Sequence, residues 1–241
     1  MADVQPPAPS PAAKAAAWLV HALTASSAVF ALLALDAIDR EAWREALLWL
    51  LGALAVDGID GTLARRVRIK ERAPRIDGET LDLIVDYLTY VFVPTIFIWR
   101  AGLVPEPLAL PLAAGIQLSS LYLFVRRDLK TEDNYFRGFP ALWNVIALYL
   151  FAAGLSPAVG AAVVAAFILF TFAPVHFVHP FRVRDYGPAL PVLATLWAAA
   201  TAALLWPGWG AAARTAFLAL SSGSALILLG IGLVRTARGP R

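Results

Sequence analysis

The chain has 241 residues, of which 60% are hydrophobic and only 15% are charged, and its mean hydropathy is +0.69. A soluble domain of this length carries far more charge, so the composition excludes an ordinary globular protein and predicts an all-α, polytopic integral membrane protein. Cysteine is absent, which excludes disulfides, thiolate metal sites and a cysteine nucleophile. The net charge of +3 would suit nucleic acid, but the basic residues follow the apolar runs, so we expect no nucleic-acid partner.

In chain order, residues 1–14 are rich in Pro and Ala and predict a disordered tail, and residues 15–241 predict a single transmembrane domain. Eight apolar runs have roughly the length of a membrane span. No internal repeat is visible, which weakens an inverted-repeat transporter fold. The runs are Ala15–Leu35, Trp43–Ala64, Gly78–Trp99, Pro107–Val125, Pro140–Ala153, Pro157–Val178, Pro188–Trp206 and Ala211–Val234.

Basic residues are concentrated in alternate connections between these runs. Of the 20 Lys and Arg, 16 lie at the termini or after the second, fourth and sixth runs, and only Arg40, Arg44, Arg100 and Arg214 lie on the other side. The positive-inside rule therefore predicts that both termini and the three basic connections are cytoplasmic. An even number of spans agrees with this topology.

Four aspartates lie near the cytoplasmic ends of the second and third runs. Ionisable residues in a membrane span are costly, so they are functional-site candidates. In each run they share one helical face with small residues, because the spacings are three, four, seven or eight residues. The two faces consist of Asp57, Asp60, Gly61 and Ala64 in the second run, and Gly78, Asp82 and Asp86 in the third.

Carboxylates that face one another repel, and divalent cations relieve that repulsion. Oxygen ligands favour Mg²⁺ or Mn²⁺, and four aspartates can hold two ions that clamp phosphoryl oxygens. Arg65 follows the acidic face and can pair with phosphate, while the small residues leave room for a ligand. Other interpretations are open at this point: a proton relay in an ion-coupled transporter, glycines that serve only packing, and Arg65 as a topology anchor.

The ordered combination of these residues resembles the CDP-alcohol phosphatidyltransferase family. The family signature has two aspartates, Gly, Ala and Arg, then a spacer, then Gly and two further aspartates, and every fixed position is matched here. The spacer from Arg66 to Asp77 has twelve residues where about eight are usual. That length, with the segments Glu132–Asn144 and His179–Arg184, is similar to the bacterial phosphatidylcholine synthase branch, which condenses CDP-diacylglycerol with choline.

The resemblance implies a role for each motif residue. Asp57, Asp60, Asp82 and Asp86 would ligate two Mn²⁺ or Mg²⁺ ions, and Asp86 would also act as the general base. The cytidine and phosphate pocket would be lined by Gly61, Ala64, Arg65 and Gly78. Choline would attack the lipid-side phosphorus of CDP-diacylglycerol and CMP would leave. The resemblance also implies a multi-pass protein of the bacterial inner membrane with a cytoplasmic active site, and a possible homodimer.

The acceptor pocket is less well defined by the sequence. Aromatic faces hold quaternary ammonium groups, and Tyr87, Tyr90, Tyr135, Phe136, Trp143 and Tyr186 are candidates, although an interfacial aromatic belt explains any one of them. Glu132 or Asp133 could add negative charge. Asn134, Arg126 and Arg137 are candidates for lipid phosphate, with loop anchoring as the alternative. His179 lies at a cytoplasmic helix end and could be near the site, but an interfacial role is preferred. Serine, inositol or a glycerol phosphate are alternative acceptors.

Overall fold

The structure is a computed structural model that describes residues 10–239. This part of the chain is almost entirely helical, so the all-α prediction is confirmed. Its elements are α1 (Pro11–Asp39), α2 (Trp43–Arg66), α3 (Ile69–Arg72), α4 (Gly78–Asp86), a π-helical turn (Tyr87–Phe92), α5 (Val93–Arg100), α6 (Glu106–Val125), β1 (Phe136–Arg137), α7 (Trp143–Ala152), α8 (Pro157–Phe172), β2 (His176–Phe177), α9 (Ala189–Leu205) and α10 (Ala211–Arg238).

Five helical segments are long and apolar enough to cross a membrane: α1, α2, the continuous helix Gly78–Arg100, α6 and α10. The remaining apolar helices, α7, α8 and α9, have 10–17 residues. The protein is therefore a multi-pass membrane protein, and each of the eight predicted apolar runs contains a helix. The count of eight crossings stays a prediction, because three of those helices are short.

The first helix begins earlier than the sequence analysis placed it. Ser10 caps α1 by accepting a hydrogen bond from the backbone N–H of Ala13 at 3.2 Å, and Pro11 occupies the first helical position. Residues 11–14 therefore belong to the first turn of α1, and the predicted tail boundary at residue 14 is corrected. Residues 1–9 lie outside the described residues.

The helices α1 and α2 form an antiparallel pair that carries half of the acidic motif. Small buried residues let the two backbones approach closely: Ala31, Ala34 and Ala37 on α1, and Ala46 and Ala53 on α2. Arg40 fastens the short turn between them by pairing with Asp36 at 2.9 Å and with Glu45 at 3.0 Å. This close packing fixes the position of α2 relative to the face of α1.

The other half of the motif lies on α4, which starts at a well-defined cap. The Asp77 carboxylate accepts hydrogen bonds from the backbone N–H groups of Glu79 at 3.1 Å and Thr80 at 3.2 Å. The helix then widens into the π-helical turn directly after Asp86. Pro94 follows in the first turn of α5 and has no N–H to donate, which favours an irregular turn before it. Such turns occur often at functional sites.

Two loops meet beside this helix. The antiparallel pair β1–β2 joins the loop after α6 to the loop after α8, with Phe136 opposite Phe177 and Arg137 opposite His176. The end of α10 packs on β2, where the Thr236 hydroxyl accepts a hydrogen bond from the His176 N–H at 2.7 Å. The loops are thereby held in a fixed arrangement by the last helix.

Candidate active site

Three of the four predicted aspartates converge in space. One carboxylate oxygen each from Asp57 on α2 and from Asp82 and Asp86 on α4 lie within 4.8 Å of one another, and all three side chains are half-buried. Three acidic groups this close repel strongly unless a cation or a proton lies among them. An all-oxygen set of this kind suits Mg²⁺ or Mn²⁺. We call these three residues the aspartate cluster.

Asp60 lies beside the aspartate cluster but not in it. Its side chain is buried, and its Oδ2 atom accepts a hydrogen bond at 2.7 Å from the hydroxyl of Thr24 on α1. The structure therefore brings together three predicted ligands and leaves the fourth fixed by a neighbouring helix. A buried carboxylate needs such a partner, because an unpaired one would carry a large desolvation cost.

Tyr90 has a different environment from the one predicted for an acceptor pocket. It lies in the π-helical turn, is 6% exposed, and donates a hydrogen bond from its hydroxyl to Oδ2 of Asp57 at 2.5 Å. A tyrosine hydroxyl that orients a carboxylate supports a ligand set from outside. The turn that follows Asp86 therefore also contacts the aspartate cluster, through Asp57.

The small residues of the motif border the same region. The guanidinium of Arg65 lies along α2 against Gly61, where an added Cβ atom would be 3.5 Å from Nη1, and it donates to the Thr62 hydroxyl at 3.1 Å. Gly78 lies against the ring of His21 on α1, where an added Cβ would be 3.0 Å from Cε1. Ala64 is half-buried on the face that α2 shares with Asp57 and Asp60.

Basic groups from two distant loops face the aspartate cluster. Lys130 and Arg182 both act electrostatically on Asp57 and Asp82. The Lys130 ammonium lies 4.9 Å from the centre of the Phe136 ring. Desolvation lowers the pKa of Lys130, and Arg182 lowers it further, whereas the three aspartates act in the opposite direction. Cations next to an acidic cluster form a setting in which both phosphate and its metal can bind.

His179 belongs to this basic group. Its ring stacks on Phe136, with the ring centres 5.5 Å apart and the planes 7° from parallel. Burial and, to a smaller extent, the charges of Lys130 and Arg182 lower the pKa of His179 to about 4. The imidazole is therefore neutral at physiological pH. From the sequence, an interfacial role was preferred for His179 over a position near the site.

Two of the predicted acceptor residues are buried in the interior. Trp143 is 0% exposed and donates from Nε1 to the Ser120 hydroxyl at 2.9 Å. Tyr135 is 1% exposed and donates to Asp185 at 3.1 Å, with the Arg235 guanidinium 5.6 Å from its ring centre. Their assignment to a choline pocket is therefore corrected, because neither ring presents a face to a ligand in this structure.

The remaining predicted acceptor residues are engaged elsewhere or exposed. The Tyr87 hydroxyl donates to Oε1 of Gln117 on α6 at 2.5 Å, and its ring packs edge-on against Phe124. Asn134 occupies a turn with φ of 67°. Arg137 lies in β1 and pairs with Asp128 at 3.7 Å. Their assignment to the acceptor pocket stays a prediction.

Several residues that contact the motif were not predicted from the sequence. Thr24 was passed over although it is a polar residue in an apolar span, which is a usable signal. His21 lies three residues before Thr24 on the same helical face. Lys130 and Arg182 were counted only as topology signals. No local pattern distinguishes them from the other loop cations, because their approach to the aspartates depends on the β1–β2 pairing.

The comparisons with known proteins agree on one group. The phosphatidylcholine synthase of Pseudomonas aeruginosa is 47% identical over 188 residues, which cover 78% of this chain and 79% of that protein. The phosphatidylcholine synthase of Bradyrhizobium diazoefficiens is 48% identical over 177 residues, covering 73% and 66%. That of Agrobacterium fabrum is 38% identical over 189 residues, covering 78% of each chain. No model of a protein family matches the chain.

Together, these relatives and the helical membrane fold define an integral membrane enzyme of the phosphatidyltransferase class. The chain belongs to the phosphatidylcholine synthase family. Identity at this level extends over about three quarters of the sequence, so it includes much more than the acidic motif. The resemblance drawn from the motif and its long spacer is confirmed.

Proposed function

We propose that the chain transfers the phosphatidyl group of CDP-diacylglycerol to choline and releases CMP. The observation that carries this proposal is the convergence of the Asp57, Asp82 and Asp86 carboxylates within 4.8 Å, in a chain whose relatives are named phosphatidylcholine synthase. Family membership alone supports a phosphatidyltransferase. The aspartate cluster supports chemistry on a phosphorylated substrate at this position.

We further propose that the aspartate cluster holds Mg²⁺ or Mn²⁺. Three carboxylates from two helices fit a hard divalent ion by ligand type and by proximity. Asp60, held by Thr24, is the fourth carboxylate for a two-ion arrangement. When bound, the ions would neutralise the substrate diphosphate and polarise its phosphoryl oxygens.

The protein residues around the cluster have separate tasks in this proposal. Tyr90 and Thr24 fix the orientation of Asp57 and Asp60 through their hydroxyls. Arg65, Lys130 and Arg182 supply positive charge for the phosphates of the substrate. His179 is neutral, so it contributes a hydrogen-bonding group without adding charge.

Asp86 is the proposed general base. It would accept the proton of the choline hydroxyl as the choline oxygen forms a bond to the lipid-side phosphorus. The bond from that phosphorus to the bridging oxygen breaks, and CMP leaves with the electron pair. Within residues 10–239 no side chain donates a hydrogen bond to Asp86, which leaves its oxygens available for this task.

The location of the site follows from the distribution of basic residues. The motif, Lys130 and Arg182 all belong to the side of the protein that carries the basic connections, and we propose that this side and both termini are cytoplasmic. The membrane would be the bacterial inner membrane, where a soluble acceptor and a lipid donor can meet. A homodimer remains a prediction of the family resemblance.

The acceptor is tested by giving the purified protein CDP-diacylglycerol and Mn²⁺ with labelled choline, serine or inositol in separate reactions. We expect a labelled lipid with choline and at most a trace with the others. A serine product without a choline product would contradict the proposed acceptor and leave the phosphatidyl chemistry intact. Absence of CMP release with every acceptor would contradict the chemistry itself.

A further inference from the structure

His21 has an unusual position for a polar side chain in a membrane helix. It lies in α1 with 6% of its surface exposed, and its Nε2 atom is the one buried side-chain nitrogen or oxygen within residues 10–239 that has no hydrogen-bond partner. Buried polar groups are nearly always paired, so an unpaired one calls for an explanation. A bound ligand is one such explanation.

The surroundings of His21 place it at the edge of the candidate active site. Its Cε1 atom faces Gly78, where an added Cβ would be 3.0 Å from Cε1 and 3.5 Å from Nδ1. One turn further along α1, Thr24 holds Asp60. The other side of the ring meets the edge of Trp18, with ring centres 6.3 Å apart. His21 therefore borders both halves of the acidic motif.

The position of Gly78 indicates which part of a substrate would reach His21. Gly78 precedes Asp82 by four residues and Asp86 by eight, which corresponds to about 6 and 12 Å along a helix. The phosphates of a nucleotide would lie at the aspartate cluster. A group that lies beside Gly78 is then one nucleoside length away from the phosphates, where the base and ribose would be.

We propose that His21 is a nucleotide-binding residue whose imidazole hydrogen-bonds the base or ribose of the CDP-lipid donor. This inference rests on the proposed function, because it assumes a cytidine nucleotide as the ligand. The absence of a side chain at Gly78 leaves room for the ring itself, because an added Cβ would lie 3.0 Å from its Cε1 atom. A neutral imidazole can donate from one nitrogen and accept at the other, as a ribose hydroxyl or a pyrimidine requires.

The test measures binding of CMP and of pyrophosphate to the full-length protein in detergent with Mn²⁺, by calorimetry. The variant His21→Phe removes the hydrogen-bonding group and keeps a ring. We expect CMP to bind about tenfold more weakly to it, as loss of one buried hydrogen bond implies. Pyrophosphate should bind as it does to the unchanged protein. Because His21 has an unpaired nitrogen, the variant without ligand should melt at the same temperature or higher.

Three further variants keep the test decisive. His21→Gln retains an amide that can hydrogen-bond and should lose less CMP affinity than His21→Leu, which serves if the Phe variant fails to fold. Ser27→Ala, a buried change on the same helix, should leave CMP binding unchanged. Equal CMP affinity in His21→Phe and the unchanged protein would overturn the inference, as would an equal loss of CMP and pyrophosphate. Failure of the unchanged protein to bind CMP would instead overturn the proposed function.

Discussion

At the residue scale, the four motif aspartates divide into two kinds. Asp57 and Asp60 each accept a hydrogen bond from a hydroxyl, at 2.5 Å from Tyr90 and 2.7 Å from Thr24. Within the described part of the chain, Asp82 and Asp86 accept none from another side chain. The first pair is therefore held in place, and the second pair on α4 is available to a metal or a substrate.

This division predicts the effect of replacing Asp86. The variant Asp86→Asn keeps the shape of the side chain but cannot take a proton, so phosphatidyl transfer should fall by a factor of about 10² to 10⁴. CMP binding should stay within about twofold of the unchanged protein. The measurement is turnover of labelled choline beside CMP calorimetry. Asp77→Asn is the matched control, because asparagine also caps a helix. Normal turnover in Asp86→Asn would exclude the general-base role.

Replacing Tyr90 should weaken metal binding rather than remove the general base. The variant Tyr90→Phe removes the hydroxyl that orients Asp57 and leaves the buried ring in place, so metal binding should weaken while the fold survives. Loss of such an outer partner costs about 10- to 100-fold in metal affinity. The Mn²⁺ concentration for half-maximal activity should therefore rise by at least tenfold. Tyr122→Phe, at an exposed tyrosine, is the control. An unchanged Mn²⁺ requirement in Tyr90→Phe would contradict the assignment.

The helical spacing of the aspartates was enough to predict the site, but it could not predict which other residues contact the site. The spacing of Asp57, Asp82 and Asp86 was enough to predict that they share two faces, and the structure brings them together. It could not show that Thr24 holds Asp60, because that contact joins helices 36 residues apart. The positions of the aromatic residues proposed for the acceptor pocket could not be predicted for a related reason. Interface-prone residues such as Trp143 and Tyr135 are also good core residues, and burial decided between the two uses.

At the element scale, the last helix fastens the loop that carries Lys130. Arg235 on α10 pairs with Asp133 at 2.7 Å, with 10% and 24% of the side chains exposed. Thr236 binds the backbone of β2 one residue further on. Gly232 lies directly against the His176 carbonyl, where a Cβ atom would collide. The end of α10 thus positions both loops whose cations face the aspartate cluster.

The Asp133–Arg235 pair predicts a pH-dependent contribution to stability. The hydrogen bond from Arg235 lowers the pKa of Asp133 to about 2. A lowered carboxyl pKa stabilises the folded state above the ordinary value near 4, and that stabilisation is lost as the pH falls from about 4 to about 2. Thermal unfolding of purified Asp133→Asn should show about 1–2 kcal/mol less stability than the unchanged protein at pH 7.

Repeating this comparison of stabilities at low pH tests whether the ion pair causes the difference. As the pH falls from about 4 towards 2, the gap between Asp133→Asn and the unchanged protein should shrink, because Asp133 takes up a proton first in the unfolded chain and then in the folded protein. Asp128→Asn is the control, since Asp128 pairs with Arg126 on an exposed surface where ion pairs contribute little. A gap that stays constant from pH 7 to pH 3 would show that the ion pair does not cause it.

At the scale of the whole molecule, hydropathy predicted the order of the helices better than their lengths. Each apolar run contains a helix, but α7 has ten residues, about 15 Å of helix, which is half of a bilayer core. The reason lies at the start of the run: residues 140–142 precede the helix, and Ala141 is buried there in a turn with φ of 55°, so part of the apolar run is used for loop packing. Hydropathy counts apolar residues and cannot tell lipid-facing ones from those that pack a loop.

The central claim is that Asp57, Asp82 and Asp86 form a metal-dependent centre for phosphatidyl transfer. The direct measurement is the formation of labelled phosphatidylcholine from CDP-diacylglycerol and choline by the purified protein, first in excess chelator and then with Mn²⁺ added back. We predict no product in chelator and full recovery with Mn²⁺, in step with the release of CMP. Full turnover in excess chelator would contradict the claim.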